Sequence, residues 1–511
     1  MNKFFGAENY KDYIPNPICS EHPEYNDIYE KAWELAFAHI KDIPGMPQTP
    51  YMDEAFCDTR IWIWDTCFMS LFCKYAFKVF PGVESLKNFY EVLHDGKKLP
   101  SVIATDKEPK FTGAIAGNSA EIKIQHADNP PLFAWVEYEN ALFSGDVERV
   151  KDLLYNKKYL QKHYEWFDSF KEVTKVDGVG MPIFVIAEKL GYKWEGGSSG
   201  MDNTPRGRTT DNALMDRPNN PDMLWIDAIC QQALSARCIA DLYKLVGDNE
   251  NSNKWEVKFE EKATIINKYY WDIKDNFYYD IDNITNDYYR VKSIASFWTL
   301  TSGIATKEQA KYMLEYILDD KTFGGKVPLV SLARNDNDFC SNGRYWRGSL
   351  WLPTAYAALK GISQYGYLNE AHIIGHKILK HMYDTYVNYE PHTIWECYAP
   401  EKCEPSVYDV SDDLARPDFC GWSALGPISI YIEFVLGFYS VNAFNKTVKW
   451  NKPADIEGEI GIKNLRFGDI VTDITAENNI CTVISNEKYT LYINDKEYSV
   501  EKGINVINLI S

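Results

Sequence analysis

The chain has 511 residues, 45% of them hydrophobic and 25% charged, enough to bury a large core with a smaller unit beside it. Its 54 basic against 73 acidic residues leave a formal net charge of -19, a field that repels phosphate backbones and anionic lipid, so nucleic acid and membrane are not expected partners. Aromatic residues supply 15% of the chain, and their flat apolar faces suit the C–H faces of a sugar ring while nearby polar groups take its hydroxyls.

Residues 1–25 read as an N-terminal extension in which Glu8 arrives before any apolar run long enough for a signal peptide. A cytoplasmic location is expected, and no run of about 18 apolar residues predicts a membrane span. The eleven cysteines, an odd number scattered from Cys19 to Cys481 without a Cys-x-x-Cys pair, fit reduced thiols and predict neither a metal site nor a cofactor.

From about Asn26 the pattern is a recurring amphipathic helix, beginning with Ile28, Ala32, Leu35, Ala36 and Ile40 on one face. The same period predicts helices over 65–76, 131–143, 147–167, 223–245, 253–270, 293–302, 307–318, 350–363, 370–386 and 422–439. Short turns join several of them: Ser144-Gly145-Asp146, Val246-Gly247-Asp248 and Tyr365-Gly366-Tyr367 each offer a Gly for a left-handed C-cap, and the first two an Asp to cap the next helix. Other connections, 178–221, 324–347 and 388–421, are long and rich in Gly, Asn, Pro and Trp, as functional loops are.

About a dozen helices in hairpin pairs, with tight turns at one end and long loops at the other, predict an all-α fold, an (α/α)6 barrel over 26–444 with its site among the loops. An open helical solenoid is the competing architecture, disfavoured by the lack of a fixed-period repeat. After about Asn445 short alternating segments such as 458–462, 469–474 and 489–493 predict a small C-terminal β module over 445–511, read as a structural support for the barrel.

Four segments carry candidate chemistry. The Gly-rich run Gly196-Gly197-Ser198-Ser199-Gly200-Met201-Asp202 delivers one carboxylate where backbone can approach a ligand closely. Trp395-Glu396-Cys397-Tyr398 places a second carboxylate among aromatic rings, where desolvation favours proton chemistry. Trp62-Ile63-Trp64-Asp65 and Tyr345-Trp346-Arg347-Gly348 interleave aromatics with Asp and Arg, a mixture that suits a polyhydroxylated ligand. Taken singly, each has a plainer reading: Asp202 as a turn residue, Glu396 as a solvated loop residue, the tryptophans as core.

The order Trp64-Asp65, Gly200-Met201-Asp202-Asn203-Thr204-Pro205-Arg206, Tyr345-Trp346-Arg347-Gly348, Trp395-Glu396-Cys397-Tyr398-Ala399-Pro400 and Gly421-Trp422-Ser423 resembles glycoside hydrolase family 63, and family 37 trehalases share a similar barrel and motif order. The resemblance spans roughly residues 58–439. It implies an inverting glycosidase with Asp202 as general acid and Glu396 as general base, and Trp62, Trp64, Asp65, Gln125, Gly200, Arg206, Trp346, Arg347, Trp395, Tyr398 and Trp422 as sugar-binding positions. Thr204 stands where the loop commonly has Ser, and His126-Ala127-Asp128-Asn129 lengthens the approach to Pro130, which bears on the leaving group accepted.

The resemblance favours a small α-glucoside, with α-mannosides, oligosaccharides and glycosyl-organic acids as other substrates. Two other functions are open on this fold: a sugar epimerase or isomerase moving a proton through a histidine such as His126 or His392, and a glycan-binding protein without catalysis.

Overall fold

Amphipathic helices dominate the computed structural model of the chain, which describes residues 9–43, 45–54, 60–91, 102–105, 111–114, 130, 132–169, 174–175, 182–183, 185–194, 196–207, 220–408 and 411–509. The principal helical segments are α1 (Tyr25–Ala38), α2 (Ile63–Cys73), α3 (Phe133–Ser144), α4 (Tyr159–Ser169), α5 (Ile226–Leu245), α6 (Asn249–Tyr269), α7 (Trp298–Thr301), α8 (Lys307–Leu318), α9 (Leu352–Gln364), α10 (Leu368–Asn388) and the π-helical α11 (Gly426–Val435). None of the helices described is long and apolar enough to cross a membrane.

The turn chemistry read from the sequence is what ends and restarts these helices. Gly145, Gly247 and Gly366 each take a positive φ, of 63°, 81° and 89°, open to glycine without steric cost. Asp146 and Asp248 then accept the backbone N–H of Arg149 and Asn251 at 3.1 and 3.0 Å, capping the helices that follow. Thr306 and Gln309 form a reciprocal capping box at the start of α8.

Several predicted helices change form: 65–76 ends and 293–302 begins as a 3-10 turn, Lys74–Ala76 and Ile294–Phe297. The 147–167 stretch is interrupted where Lys158 adopts a left-handed φ of 56°, so a short helix and a π-helical turn precede α4. The 422–439 stretch starts as a 3-10 turn, Ser423–Leu425, and continues as α11, in which every residue is buried and no polar face marks a 3.6-residue period.

Six segments pack in a closed ring: α2 on α3, α3 on α5, α5 on α7, α7 on α9, α9 on the Ser423–Leu425 turn and α11, and these back on α2. Outer helices cover the ring, with α6 against α5 and α10 against both α9 and α11. Five of the inner segments, together with Lys74 and Tyr75 just after α2, line one cavity toward their C-terminal ends. At the opposite, N-terminal ends lie Asp65, Trp225, Trp351 and Trp422.

A separate strand-rich region follows from Ser440. One antiparallel sheet runs in the order Asn16–Cys19, Ile460–Phe467, Ile470–Glu477, Ile480–Ser485 and Gly503–Asn508; a second contains Ser440–Asn442, Thr447–Trp450, Tyr489–Ile493 and Lys496–Val500. Alternation is clean in Ile470–Glu477, where Ile470, Thr472, Ile474 and Ala476 are buried between more exposed neighbours. The first strand comes from the segment read as an N-terminal extension: Asn16 to Cys19 pair with Lys463 to Ile460. The region is tied to the C-terminal end of α3, where Ala443 and Gly468 donate backbone N–H to the carbonyls of Leu142 and Phe143, both at 2.7 Å.

Candidate active site

The N-terminal end of the ring gathers three carboxylates from distant parts of the chain. Strand Arg60–Trp62 leads into α2, and Asp65 sits in the helix's first turn, where the free backbone N–H groups favour negative charge. The side chain is nonetheless buried.

Asp202 follows a tight turn that only glycine accommodates well. Gly200 has φ +76°, and a Cβ there would stand 2.9 Å from Cε2 of Trp64. The turn therefore rests flat against the indole beside Asp65, which links two sequence motifs 136 positions apart through one close approach. Asn203 fixes the next step: its Nδ2 donates to the Arg344 carbonyl at 3.0 Å and its Oδ1 accepts the Trp346 N–H at 2.8 Å. Arg344 and Tyr345 both hold positive φ, of 37° and 66°, a strained pair for residues with side chains.

That backbone geometry accompanies a hydrogen bond from the Tyr345 hydroxyl to Glu396. Glu396 is fully buried, and its Oε1 accepts from Tyr345 at 3.0 Å while Oε2 accepts from Tyr408 at 2.9 Å. Arg416 lies 4.0 Å from Oε2 and donates its Nε to the Tyr408 oxygen at 2.9 Å. Behind Glu396, its backbone carbonyl accepts from Trp422 Nε1 at 2.8 Å and from the Ser423 hydroxyl at 3.0 Å. The carboxylate is thus held on both oxygens and through its own backbone.

Burial pushes the Glu396 carboxyl above its ordinary pKa, opposed by the Tyr408 hydrogen bond and the Arg416 charge. Burial also raises Asp65 well above the carboxylate range, with the charges of Glu396 and Asp202 adding to the effect. Tyr345 is raised by burial and by the same two carboxylates, Glu396 and then Asp202. Asp65 and Tyr345 therefore both feel Asp202 and Glu396. A fourth carboxyl, Glu54, is fully buried behind Asp65 and raised by burial, Asp65 and Asp53.

The remaining predicted positions divide by what their side chains touch. Trp64 packs against Gly200, and Trp62 is half-buried at the N-cap of α2. Trp346 stacks on Trp351, ring centroids 4.1 Å apart and nearly parallel, and Trp351 leans on Trp422. Trp395 is buried and packs edge-on against Tyr389.

Three further positions have partners within the protein. Arg206 is buried and paired with Asp227 at 2.7 Å and Asp280 at 3.2 Å, with its guanidinium 4.5 Å from the Trp225 ring, so it braces the Asp202 loop against α5. Arg347 is buried and paired with Asp338 at 3.0 Å. Tyr398 is buried with its hydroxyl accepting the Trp395 N–H at 3.1 Å. A buried guanidinium without a carboxylate partner is costly, which is why these arginines face inward to acids.

Gln125 and His126 lie outside the described residues. His392 is turned to the surface, 3.0 Å from Glu390 and 2.8 Å from the Tyr386 carbonyl. The sequence reading named neither Tyr345 nor Tyr408 as a partner of Glu396, nor Arg416. The usable signal was that Tyr408 and Arg416 share the long 388–421 connection with Glu396 and that Tyr345 opens the Trp346 motif.

Residues 59–412 match the family model described as the mannosylglycerate hydrolase MGH1-like glycoside hydrolase domain. A cytosolic neutral trehalase of Kluyveromyces lactis is 28% identical over 211 residues, covering 39% of this chain and 28% of that protein. A mannosylglycerate hydrolase of Rubrobacter radiotolerans is 28% identical over 153 residues, covering 29% of this chain and 33% of that protein. Both alignments therefore span well under half of those relatives' length. Among solved structures, the family 63 mannosylglycerate hydrolase of Thermus thermophilus in complex with glucose superimposes with a TM-score of 0.55 at 17% identity, over 79% of this chain and 99% of that one, a likeness of fold.

Proposed function

We propose, from the premise that the chain belongs to the mannosylglycerate hydrolase MGH1-like glycoside hydrolases of family 63, relatives of the family 37 trehalases, that it cleaves a small α-linked glycoside with inversion. Asp202 is the general acid and Glu396 the general base of this reading. The observation that carries it is the dry, doubly hydrogen-bonded Glu396 beside Asp65, with Asp202 bearing on the same groups.

Asp202 gives its proton to the glycosidic oxygen as the bond to C1 breaks. Glu396, made more basic by burial, takes a proton from the water that attacks the opposite face. Asp65, Trp64 and Trp62 hold the reacting sugar between them. The room a water needs places the two carboxyl groups about 6.5–9.5 Å apart. The architecture in this reading is an (α/α)6 barrel over 26–444, supported by the closed ring of six packed segments. The 445–511 region acts as its support, in keeping with its attachment at the far end of α3.

An α-glucoside is the first substrate to try. A glycosyl-organic acid is the second reading, favoured by the match to the mannosylglycerate hydrolase MGH1-like domain and the likeness to a mannosylglycerate hydrolase.

Proton NMR in the first minutes of hydrolysis tests the stereochemistry, with the β-anomer as the expected first product. On the α-glycosyl fluoride, Asp202→Asn should keep far more activity than on the natural glycoside, because fluoride leaves with little protonation. Glu396→Gln should lose about 10²–10⁴-fold on both. An α-anomer formed first, or near-normal turnover by Glu396→Gln, would overturn the assignment.

A further inference from the structure

A cavity of about 280 Å³ lies at the C-terminal ends of the six ring segments, and none of the candidate active-site residues lines it. Its floor is a buried cluster of alternating charge. Lys74 lies 3.1 Å from Glu139, 2.9 Å from Glu433 and 3.3 Å from the Tyr356 hydroxyl, which engages all three of its hydrogens. Lys360 reaches both oxygens of Glu139, at 3.2 and 3.3 Å, and Glu433 at 3.4 Å, at the edge of the cavity. Tyr75 and Tyr356 donate to Glu433 at 3.1 and 2.9 Å.

The walls are aromatic and the mouth is polar. Trp135, Tyr138, Phe143 and Phe438 line the sides, with Arg237, Asp241 and Gln364 among the lining residues that remain partly open to solvent. The Tyr138 hydroxyl and the Asp241 carboxylate both border the cavity, and Asp241 feels the charges of Arg237 and Lys244. The lining's charges balance, Lys74, Arg237 and Lys360 against Glu139, Asp241 and Glu433, so an ion of either sign gains no net attraction. A hydroxyl both donates and accepts, and a pyranose shows apolar faces to aromatic rings. The volume falls just short of the usual range of ligand pockets, roughly 300–1,000 Å³, which limits an occupant to monosaccharide size.

We propose that this cavity is a second, non-catalytic site for a neutral polyol of monosaccharide size. Arg237 at the mouth and the Tyr138 hydroxyl donate to it, and Asp241 and Glu139 accept from it. The inference stands apart from the roles given to Asp202 and Glu396, since it rests on the opposite ends of the same helices. Binding there bears on α2, because Lys74 directly follows the helix whose first turn carries Asp65.

Saturation-transfer difference NMR titrations of D-glucose and D-mannose on the full chain carrying Asp65→Asn, which weakens the candidate active site, provide the test. A saturable signal is expected to remain, with dissociation in the ~1 mM range usual for so few atoms. Adding Leu234→Phe, which fills the cavity from its α5 wall, should remove at least half of it, and adding Asp241→Asn at the mouth should weaken it about tenfold. Asp241→Asn alone carries the test if circular dichroism shows Leu234→Phe unfolded. No signal in Asp65→Asn, or a signal that the added substitutions leave unchanged, overturns the proposal.

Discussion

Replacing Tyr408 or Tyr345 by Phe removes one hydrogen bond from one oxygen of Glu396 and little else, so the effect can be worked from the geometry. The bonds are 2.9 and 3.0 Å long and lie in a buried site. A hydrogen bond to a charged group is worth about 1.5–3 kcal/mol, and about 1.4 kcal/mol corresponds to one pH unit in a pKa. Each substitution should therefore raise the Glu396 pKa by about one to two pH units. Tyr408→Phe should have the larger effect, because Tyr408 also accepts from Arg416, whose charge favours the ionised carboxylate. A base must be ionised to act, so activity falls as pH drops through its pKa, and a higher pKa moves that acid limb upward. On the limb kcat/KM should fall by about 10–100-fold, and well above it by much less. The assay is the pH profile of kcat/KM on an α-glycosyl fluoride, a substrate that makes little demand on the acid. An acid limb that stays in place while the rate drops uniformly would show that the phenols serve the sugar and not Glu396.

Gly200→Ala places a methyl group 2.9 Å from the Trp64 ring at φ +76°, so it should cost roughly 1–3 kcal/mol of stability and shift Asp202 enough to lower activity at least about tenfold; thermal melts and kcat/KM check both, and a silent substitution contradicts the close approach. Lys74→Met strips two buried carboxylates of a shared partner and should destabilise the fold by about 3–5 kcal/mol in urea denaturation; a change under about 1 kcal/mol would show that Lys360 serves both carboxylates alone. In the same cluster Glu139 is opposed by burial but brought down to about 2 by Lys360 and Lys74, so its stabilisation is present above the unfolded value of 4.5 and lost only as pH falls through about 2. Glu54 has the opposite sign: burial and Asp65 raise its folded pKa, so its contribution is full below 4.5 and lost as pH rises through the folded value. Glu54→Gln should flatten the decline of melting temperature as pH rises above 4.5, and an unaltered slope would count against a protonated Glu54.

Local features of this chain were legible in one dimension. The helix over 307–318 has the bounds expected of it, because an apolar period of 3.6 is written within a dozen residues. The Gly turns after α3, α5 and α9, and the strands after Asn442, follow equally local rules of left-handed backbone and alternation. Motif order also marked the Asp202 and Glu396 loops as the places to look. What Glu396 touches was decided elsewhere: Tyr345 lies 51 residues before it and Tyr408 twelve after, and no spacing rule brings two phenols to one carboxylate. Arg206 in its sugar-site motif was indistinguishable from a ligand-binding arginine until Asp227 and Asp280 were seen against it, and strand Asn16–Cys19 had no visible partner until residues 460–463 lay beside it. Periodicity and turn preference are properties of neighbouring backbone dihedrals. Ion pairs, burial and sheet partners are properties of which distant segments share a packed interior, and that is settled only when the ring closes.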